Sequence, residues 1–151
     1  MEGVTRTMEP TQVISPVAQV SIFKRGQDVQ LSQNFHLREI ECRCGKCPIT
    51  LIDLEHIERL EQLRKIYQKP IHIHSAFRCP EYNISVGGTK NSQHCLGLAT
   101  DIHIDGVDTY ALYSTSTEIF DGVGVYDSFV HVDSRGQEAR WDFRGKNTKD
   151  G

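Results

Sequence analysis

One ten-residue stretch, SQHCLGLATD at residues 92–101, decides how this chain is interpreted. It sets His94 seven residues before Asp101, with Gly97 between them and an alternating apolar and polar run from Thr100 to Ile104. A glycine-containing turn lets the chain reverse, so an imidazole carried on the turn can meet a carboxylate at the beginning of the following strand. The stretch therefore predicts a turn and a strand whose polar side chains converge.

A second alternating run, FVHVD at residues 129–133, adds another imidazole. His131 and Asp133 point to the same face if this run is a strand. If the two strands are neighbours, His94, Asp101 and His131 converge, and two imidazoles with one carboxylate suit Zn²⁺ and leave a fourth position for water. From spacing alone the alternatives stay open, since a histidine can be an ordinary surface residue and Asp101 can cap a turn.

The surrounding pattern predicts an α+β fold, with a small, mainly antiparallel sheet and flanking helices. The clearest helix begins after Asp53 as N-cap, repeats apolar residues from Ile57 to Tyr67, and ends by Lys69 because Pro70 follows. A weaker helix is predicted within residues 108–120. Short strands are predicted at residues 71–74, 100–104, 122–126, 129–133 and 139–143.

The chain is divided into a short N-terminal segment, one domain and a tail. Residues 1–30 are interpreted as an arm or peripheral strand, residues 31–145 as the domain, and residues 146–151 as a polar, frayed tail. Residues 35–50 are so dense in Cys, Gly and Pro that no regular structure is expected there. His36 and His56 are interpreted as surface residues.

Composition is that of an ordinary soluble globular protein. The 151 residues include 38% hydrophobic and 25% charged residues, with a net charge of −3 and a mean hydropathy of −0.43. There is no basic excess, so nucleic acid is not an expected partner, and no stretch is apolar enough to cross a membrane. The opening residues MEGVTRTMEP lack the apolar region of a signal peptide.

Two longer stretches carry a family resemblance: SAFRCPEYNISVGGTKNSQHCLGLATDIHI at residues 75–104 and GVGVYDSFVHVDSRGQEARW at residues 122–141. In these motifs and their order, from about Phe35 to Trp141, the chain resembles the zinc D-alanyl-D-alanine carboxypeptidases, most closely their compact branch in phages and bacteria. The resemblance implies the fold shared with hedgehog signalling domains, and Zn²⁺ held by His94, Asp101 and His131. It also implies peptidoglycan stem peptides or cross-links as substrate, cleaved by carboxypeptidase or endopeptidase action.

The resemblance also assigns candidate catalytic residues. Arg78 matches the family arginine thought to steady the carbonyl oxygen as it becomes an oxyanion, a role that suits a permanently charged guanidinium. The relatives carry an acidic base three positions before the last histidine ligand, where this chain has Ser128. Asp127 and Asp133 are the alternative bases, and a third alternative is that no effective base remains. Tyr126 is a weaker candidate, through its hydroxyl.

Because a base is missing from its usual position, a second function stays open. In that alternative the chain is a non-catalytic zinc-containing module that binds the cell wall or forms part of a virion. The absence of a signal peptide favours a phage product, located in the virion or in the host cytoplasm before release to the cell wall. Virion or tail proteins are then expected partners of the N-terminal arm.

The five cysteines cannot all pair within one chain. Cys42, Cys44 and Cys47 lie within six residues, and Cys79 lies in the segment that the resemblance brings close to them. A disulfide, a structural zinc site and free thiols all remain open for these four residues.

Overall fold

The structure, a computed structural model, describes residues 19–146. Most of the predicted arm, residues 1–18, and residues 147–151 of the predicted frayed tail lie outside the described residues. The domain boundaries proposed from the sequence stay predictions. No helix of the described residues is long and apolar enough to cross a membrane.

Three helices and seven strands make up the described chain, and they confirm the α+β fold class. The helices are α1 (Leu54–Tyr67), α2 (Pro80–Ser85) and α3 (Thr109–Ser116). The strands are β1 (Val20–Lys24), β2 (Ile49–Asp53), β3 (His72–Ser75), β4 (Ala99–His103), β5 (Gly122–Val125), β6 (Val130–Asp133) and β7 (Ala139–Asp142).

Helix α1 confirms the prediction made from its cap and its apolar spacing. Asp53 Oδ1 accepts a hydrogen bond from the backbone N–H of Glu55 at 3.1 Å, which satisfies one of the unpaired donors at the helix start. Ile57, Leu60 and Leu63 are buried. The helix ends at Tyr67 as predicted, before Pro70.

The main sheet has five strands in the order β3-β4-β6-β5-β7. All neighbours are antiparallel except β5 and β7, which run parallel. The register places Asp101 of β4 opposite His131 of β6, and His131 opposite Gly124 of β5. Directly paired residues share a face, and residues two apart on a strand also share one, so Asp101, His131 and Asp133 lie on one side of this sheet.

The other side of the main sheet forms the hydrophobic core. Ile102, Val123 and Val130 alternate with the polar residues and are fully buried. They belong to one cluster with the apolar residues of α1 and with Leu112 of α3. Helices α1 and α3 thus cover one face of the sheet and leave the other face for the polar site.

Two predictions about the first half of the chain are wrong, the first only in part. Residues 35–50, expected to lack regular structure, contain one 3₁₀ turn at Leu37–Glu39 and the first two residues of β2. Strand β2 pairs antiparallel with β1 to form a separate two-stranded sheet. This pairing is a tertiary contact that the local Cys, Gly and Pro content does not reveal.

His36 and His56 are buried rather than on the surface, at 8% and 0% exposure. His36 caps the 3₁₀ turn, since its Nδ1 accepts a hydrogen bond from the N–H of Arg38 at 3.0 Å. His56 lies four and seven residues before Leu60 and Leu63, on the buried face of α1. Its ring nitrogens are satisfied by the hydroxyls of Ser134 at 2.8 Å and Thr100 at 3.0 Å.

Candidate metal centre

His94 is held in place by a short 3₁₀ turn, Gln93–Leu96. Ser92 caps the turn, because its Oγ accepts a hydrogen bond from the N–H of His94 at 3.2 Å. Gly97 ends the turn with φ of +78°, and a Cβ at this position would lie 2.7 Å from the backbone of Leu51. Only glycine satisfies both the positive φ and this close approach to β2. The turn is therefore fixed against its neighbour, and the imidazole it carries is fixed with it.

The hydrogen bonds of His94 determine which nitrogen faces the site. Nδ1 lies 2.7 Å from the carbonyl oxygen of Ala76 and can only donate to it. The lone pair of a neutral imidazole is then on Nε2, which lies 3.2 Å from Asp101 Oδ1. His94 is fully buried, so its metal-binding nitrogen is presented in a single orientation.

His131 is oriented in the same way with its nitrogens exchanged. Its Nε2 lies 2.7 Å from Asp133 Oδ2, and its Nδ1 lies 3.1 Å from Asp101 Oδ1. Because Nε2 donates to Asp133, Nδ1 is the nitrogen that faces Asp101 and His94. The potential ligand atoms of His94, Asp101 and His131 all lie within 4.8 Å of one another.

Arg78 supports the carboxylate of this group. Its Nη2 lies 3.2 Å from Asp101 Oδ2, the oxygen that does not face the histidines. Its Nε donates to Ser75 Oγ at 3.0 Å, and its Nη1 donates to Asn83 Oδ1 at 2.8 Å. The whole side chain is buried. The structure thus places the predicted oxyanion-stabilising residue on a ligand carboxylate, and its role toward a substrate stays a prediction.

Asp133 lies between His131 and Arg135. Besides its contact with His131, it accepts hydrogen bonds from Arg135 Nε at 2.9 Å and from Arg135 Nη2 at 2.7 Å. The side chain is fully buried. A Cβ at Gly122 on the neighbouring strand would collide with this carboxylate, so glycine is needed there. Asp133 therefore fixes the orientation of the His131 ring, while its role as a base stays a prediction.

The electrostatics of the group favour a cation. Burial raises the pKa of Asp101, but the two adjacent imidazoles outweigh burial and hold that pKa well below its usual range. Burial likewise raises the pKa of Asp133, but the hydrogen bonds from His131 and Arg135 outweigh burial and hold that pKa below its usual range. Burial lowers the pKa of His131, whereas its hydrogen bonds to the two carboxylates raise it to about 9. Two ionised carboxylates in a buried setting attract positive charge.

The donor set fits zinc. Two imidazole nitrogens and one carboxylate oxygen are a typical catalytic zinc set, which leaves a position for water or substrate. Each imidazole donates a hydrogen bond from its second nitrogen to an oxygen, as metal-bound histidines almost always do. His94, Asp101 and His131 are therefore the residues that would hold the ion.

A cleft of about 360 Å³ lies beside His131. Tyr126, Arg135, Trp141 and Phe143 line its aromatic and basic side. The hydroxyl of Tyr126 accepts a hydrogen bond from Trp141 Nε1 at 3.0 Å, and the Trp141 ring lies 5.0 Å from that of His131. Tyr126 thus lies in the wall of the cleft, and its proposed donation to a transition state stays a prediction.

Asp127 and Ser128 lie outside the buried group. Both are exposed, and Asp127 Oδ1 accepts a hydrogen bond from the backbone N–H of Gly145 at 2.8 Å. The structure therefore does not bring Asp127 together with the histidines, although its role as a base stays a prediction. Ser128, at the position where relatives carry the acid, is likewise at the surface.

Three further residues contribute to the site and were not singled out from the sequence. Ser75 and Asn83 bind the guanidinium of Arg78, and Trp141 forms part of the cleft. Trp141 contacts Gly124, where a Cβ would collide with its ring. The alternating glycines of GVGV at residues 122–125 were a usable sequence signal, because a glycine within a strand often marks a close approach of another group. For Ser75 no local signal exists, because it lies at an irregularity in the pairing of β3 with β4.

Comparison with known proteins agrees with this geometry. The family model described as Peptidase M15 matches residues 33–133, about two thirds of the 151 residues, and it includes all three candidate ligands. No individually curated protein matches the chain at a significant level. Peptidases of this family are in general zinc-dependent. On its sequence match, and with a buried two-histidine, one-aspartate group beside a cleft, the chain belongs to the Peptidase M15 family of metallopeptidases.

Proposed function

We propose that this protein is a zinc-dependent peptidase that hydrolyses peptidoglycan stem peptides or cross-links, by D-Ala-D-Ala carboxypeptidase or endopeptidase action. One observation carries the proposal: His94, Asp101 and His131 are buried and individually oriented, and His131 borders a cleft. A structural metal needs no such access, whereas a catalytic metal must reach substrate.

The chemistry divides between the metal and the chain. A bound zinc ion supplies Lewis acidity, which polarises an amide carbonyl and lowers the pKa of water. His94, Asp101 and His131 hold the ion. Asp133 fixes the ring of His131, and Arg78 fixes the carboxylate of Asp101. These supporting contacts keep the ligands in place without reorganisation during the reaction.

The cleft supports a small peptide substrate. Its volume of about 360 Å³ is at the low end for ligand pockets and suits a short segment with small side chains such as D-alanine. The guanidinium of Arg135 lies over the Trp141 ring at 5.4 Å, and two of its nitrogens are paired with the carboxylate of Asp133. The cleft thus offers a peptide an aromatic wall beside an ion-paired guanidinium.

The lack of a free carboxylate at the usual position of the general base supports the second candidate function, a non-catalytic zinc module that binds the cell wall. Ser128 is exposed, and the carboxylate of Asp133 is engaged by both His131 and Arg135. Because these two partners hold the pKa of Asp133 low, its carboxylate is a weak proton acceptor. A module of this kind would keep zinc and wall affinity but lack turnover.

Digestion of purified peptidoglycan separates the two functions. The zinc-loaded protein is incubated with intact sacculi and with soluble muropeptides, and the products are identified by mass spectrometry. We expect release of D-alanine or cleavage of cross-links, lost in Asp101→Asn and retained in the surface variant Asp105→Asn. Absence of turnover on either substrate, in protein that holds zinc at His94, Asp101 and His131, would contradict the peptidase and leave the binding module.

A further inference from the structure

A second group of metal-binding side chains lies outside the candidate metal centre. We propose that Cys42, Cys44, Cys47 and Cys79 bind a structural zinc ion. Their four sulfur atoms all lie within 4.8 Å of one another. The sulfurs of Cys42 and Cys79 are 3.8 Å apart. A tetrahedral ion with Zn–S bonds of about 2.3 Å places its sulfurs at about this separation.

The backbone around these cysteines is arranged for thiolates. The N–H groups of Lys46 and Cys47 both point to Cys44 Sγ, at 3.4 and 3.3 Å. The N–H of Cys79 points to Cys42 Sγ at 3.3 Å. A turn at Gly45, with φ of +76°, allows the first two contacts. Backbone donors of this kind stabilise a charged sulfur.

Arg25 adds compensating charge. Its Nη2 lies 3.5 Å from Cys47 Sγ, while its Nε and Nη2 donate to the carbonyl oxygens of Cys47 at 2.6 Å and Cys42 at 2.7 Å. Four thiolates around a divalent ion carry a net negative charge, so a guanidinium fixed against two of the ligand residues stabilises the assembly. Arg25 follows β1, and it thereby connects the small sheet to the cysteine group.

The group joins two segments that are distant in the sequence. Cys42, Cys44 and Cys47 precede β2, whereas Cys79 directly follows Arg78, the partner of Asp101. A closed shell of four thiolates has no open position, so its role is to hold these segments together rather than to bind substrate. The inferred zinc thus fixes the backbone that carries Arg78. A Cys42–Cys79 disulfide would join the same segments but would leave Cys44 and Cys47 without a partner ion.

Zinc content measured by elemental mass spectrometry tests the proposal. Protein is produced in reducing, zinc-supplemented cells and compared with Cys44→Ser, with His131→Ala and with Cys95→Ser, a cysteine outside the group. A closed tetrathiolate site and an open catalytic site predict about two zinc ions per chain for the parent and for Cys95→Ser. The other two variants should each retain about one.

Cobalt replacement keeps the test decisive if Cys44→Ser fails to fold. With Co²⁺ alone as the probe, the parent and His131→Ala should both show the intense thiolate-to-cobalt charge-transfer absorption that a two-histidine, one-carboxylate site lacks. The proposal is overturned if His131→Ala shows no such absorption. It is also overturned if peptide mapping of the unreduced protein finds a Cys42–Cys79 disulfide. Neither result depends on peptidase activity, so the two proposals fail separately.

Discussion

Two groups on the polar face of the main sheet contain the same residue types in opposite environments. The buried group is His94, Asp101 and His131, and the exposed group is His72, His103 and Asp105. Each has two imidazoles and one carboxylate whose potential ligand atoms lie within 4.8 Å. In the buried group the side chain of Asp101 is 0% exposed, whereas that of Asp105 is 80% exposed.

The difference lies in what surrounds the donors. Asp101 has Arg78 on its outer oxygen, and each buried imidazole has its second nitrogen fixed by another group. Asp105 contacts His72 at 3.1 Å and His103 at 3.0 Å but is otherwise open to solvent. Water competes for exposed charges and screens them. Residue type alone therefore does not make a metal centre, because orientation and desolvation also have to be supplied.

The largest effect is expected from Asp101→Asn. The substitution removes the charge that attracts the cation and faces both histidines. Zinc binding and peptide hydrolysis should both fall by more than the roughly 10²-fold that loss of an outer partner costs. The matched variant Asp105→Asn, in the exposed group, should keep both properties. Isothermal titration with zinc and a muropeptide assay are carried out on both variants. Equal losses in Asp101→Asn and Asp105→Asn would contradict the distinction between the buried and the exposed group.

A smaller effect is expected from Asp133→Asn, which weakens the orientation of His131. Zinc affinity should fall by about 10- to 100-fold, with a parallel loss of activity. Asp127→Asn is the control for zinc affinity, because its carboxylate contacts Gly145 and not the histidines. If zinc affinity were unchanged while the rate fell by about 10²- to 10⁴-fold, Asp133 would be the general base rather than a positioning residue.

His56 gives the next effect, on stability rather than on activity. Burial lowers its pKa to about 3, so the folded protein holds it neutral, whereas the unfolded chain has its ordinary pKa of about 6.5. The unfolded state therefore binds the extra proton as pH falls below about 6.5. The free energy of unfolding of metal-free protein should then decrease by about 1.4 kcal/mol per pH unit.

Urea unfolding at several pH values between 6.5 and 4.5 measures this slope, and His56→Gln should flatten it. His131 opposes this slope only near the upper end of the window, because there the unfolded ring is about half protonated, whereas its raised pKa keeps the folded ring protonated throughout. An equally steep slope in His56→Gln would contradict the assignment.

The smallest effect is expected from His103→Gln in the exposed group. His103 is stacked on His72 with ring centroids 4.7 Å apart, and its contact with Asp105 is open to solvent. Zinc stoichiometry and muropeptide hydrolysis should stay unchanged, and the free energy of unfolding should move by no more than about 0.5 kcal/mol. Loss of a zinc ion in this variant would contradict the prediction and show that the exposed group binds zinc.

Much of the fold could be predicted because its signals are local. Asp53 and the spacing of Ile57, Leu60 and Leu63 predicted α1, and alternation predicted the strands that carry Asp101 and His131. Residue spacing alone gave a candidate metal site, and the family resemblance turned it into a specific ligand set. The structure brings these three residues together.

The features that could not be predicted from the sequence depend on contacts between distant segments. Strand β2 forms through pairing with β1, and the partners of Arg78 come from β3 and α2. His56 differs, because its spacing from Leu60 and Leu63 indicates the buried face of α1, whereas histidine as a residue type is only intermediate in its tendency to be buried. Periodicity was the better guide there, since two hydroxyls satisfy the buried ring.

The most direct test of the central claim is a crystal structure with anomalous diffraction data collected above and below the zinc absorption edge. We expect an anomalous peak within bonding distance of His94 Nε2, Asp101 and His131 Nδ1, at the edge of the cleft, and no peak at the exposed group. Absence of a peak at the buried group in zinc-supplemented crystals, or a peak only at His72, His103 and Asp105, would contradict it.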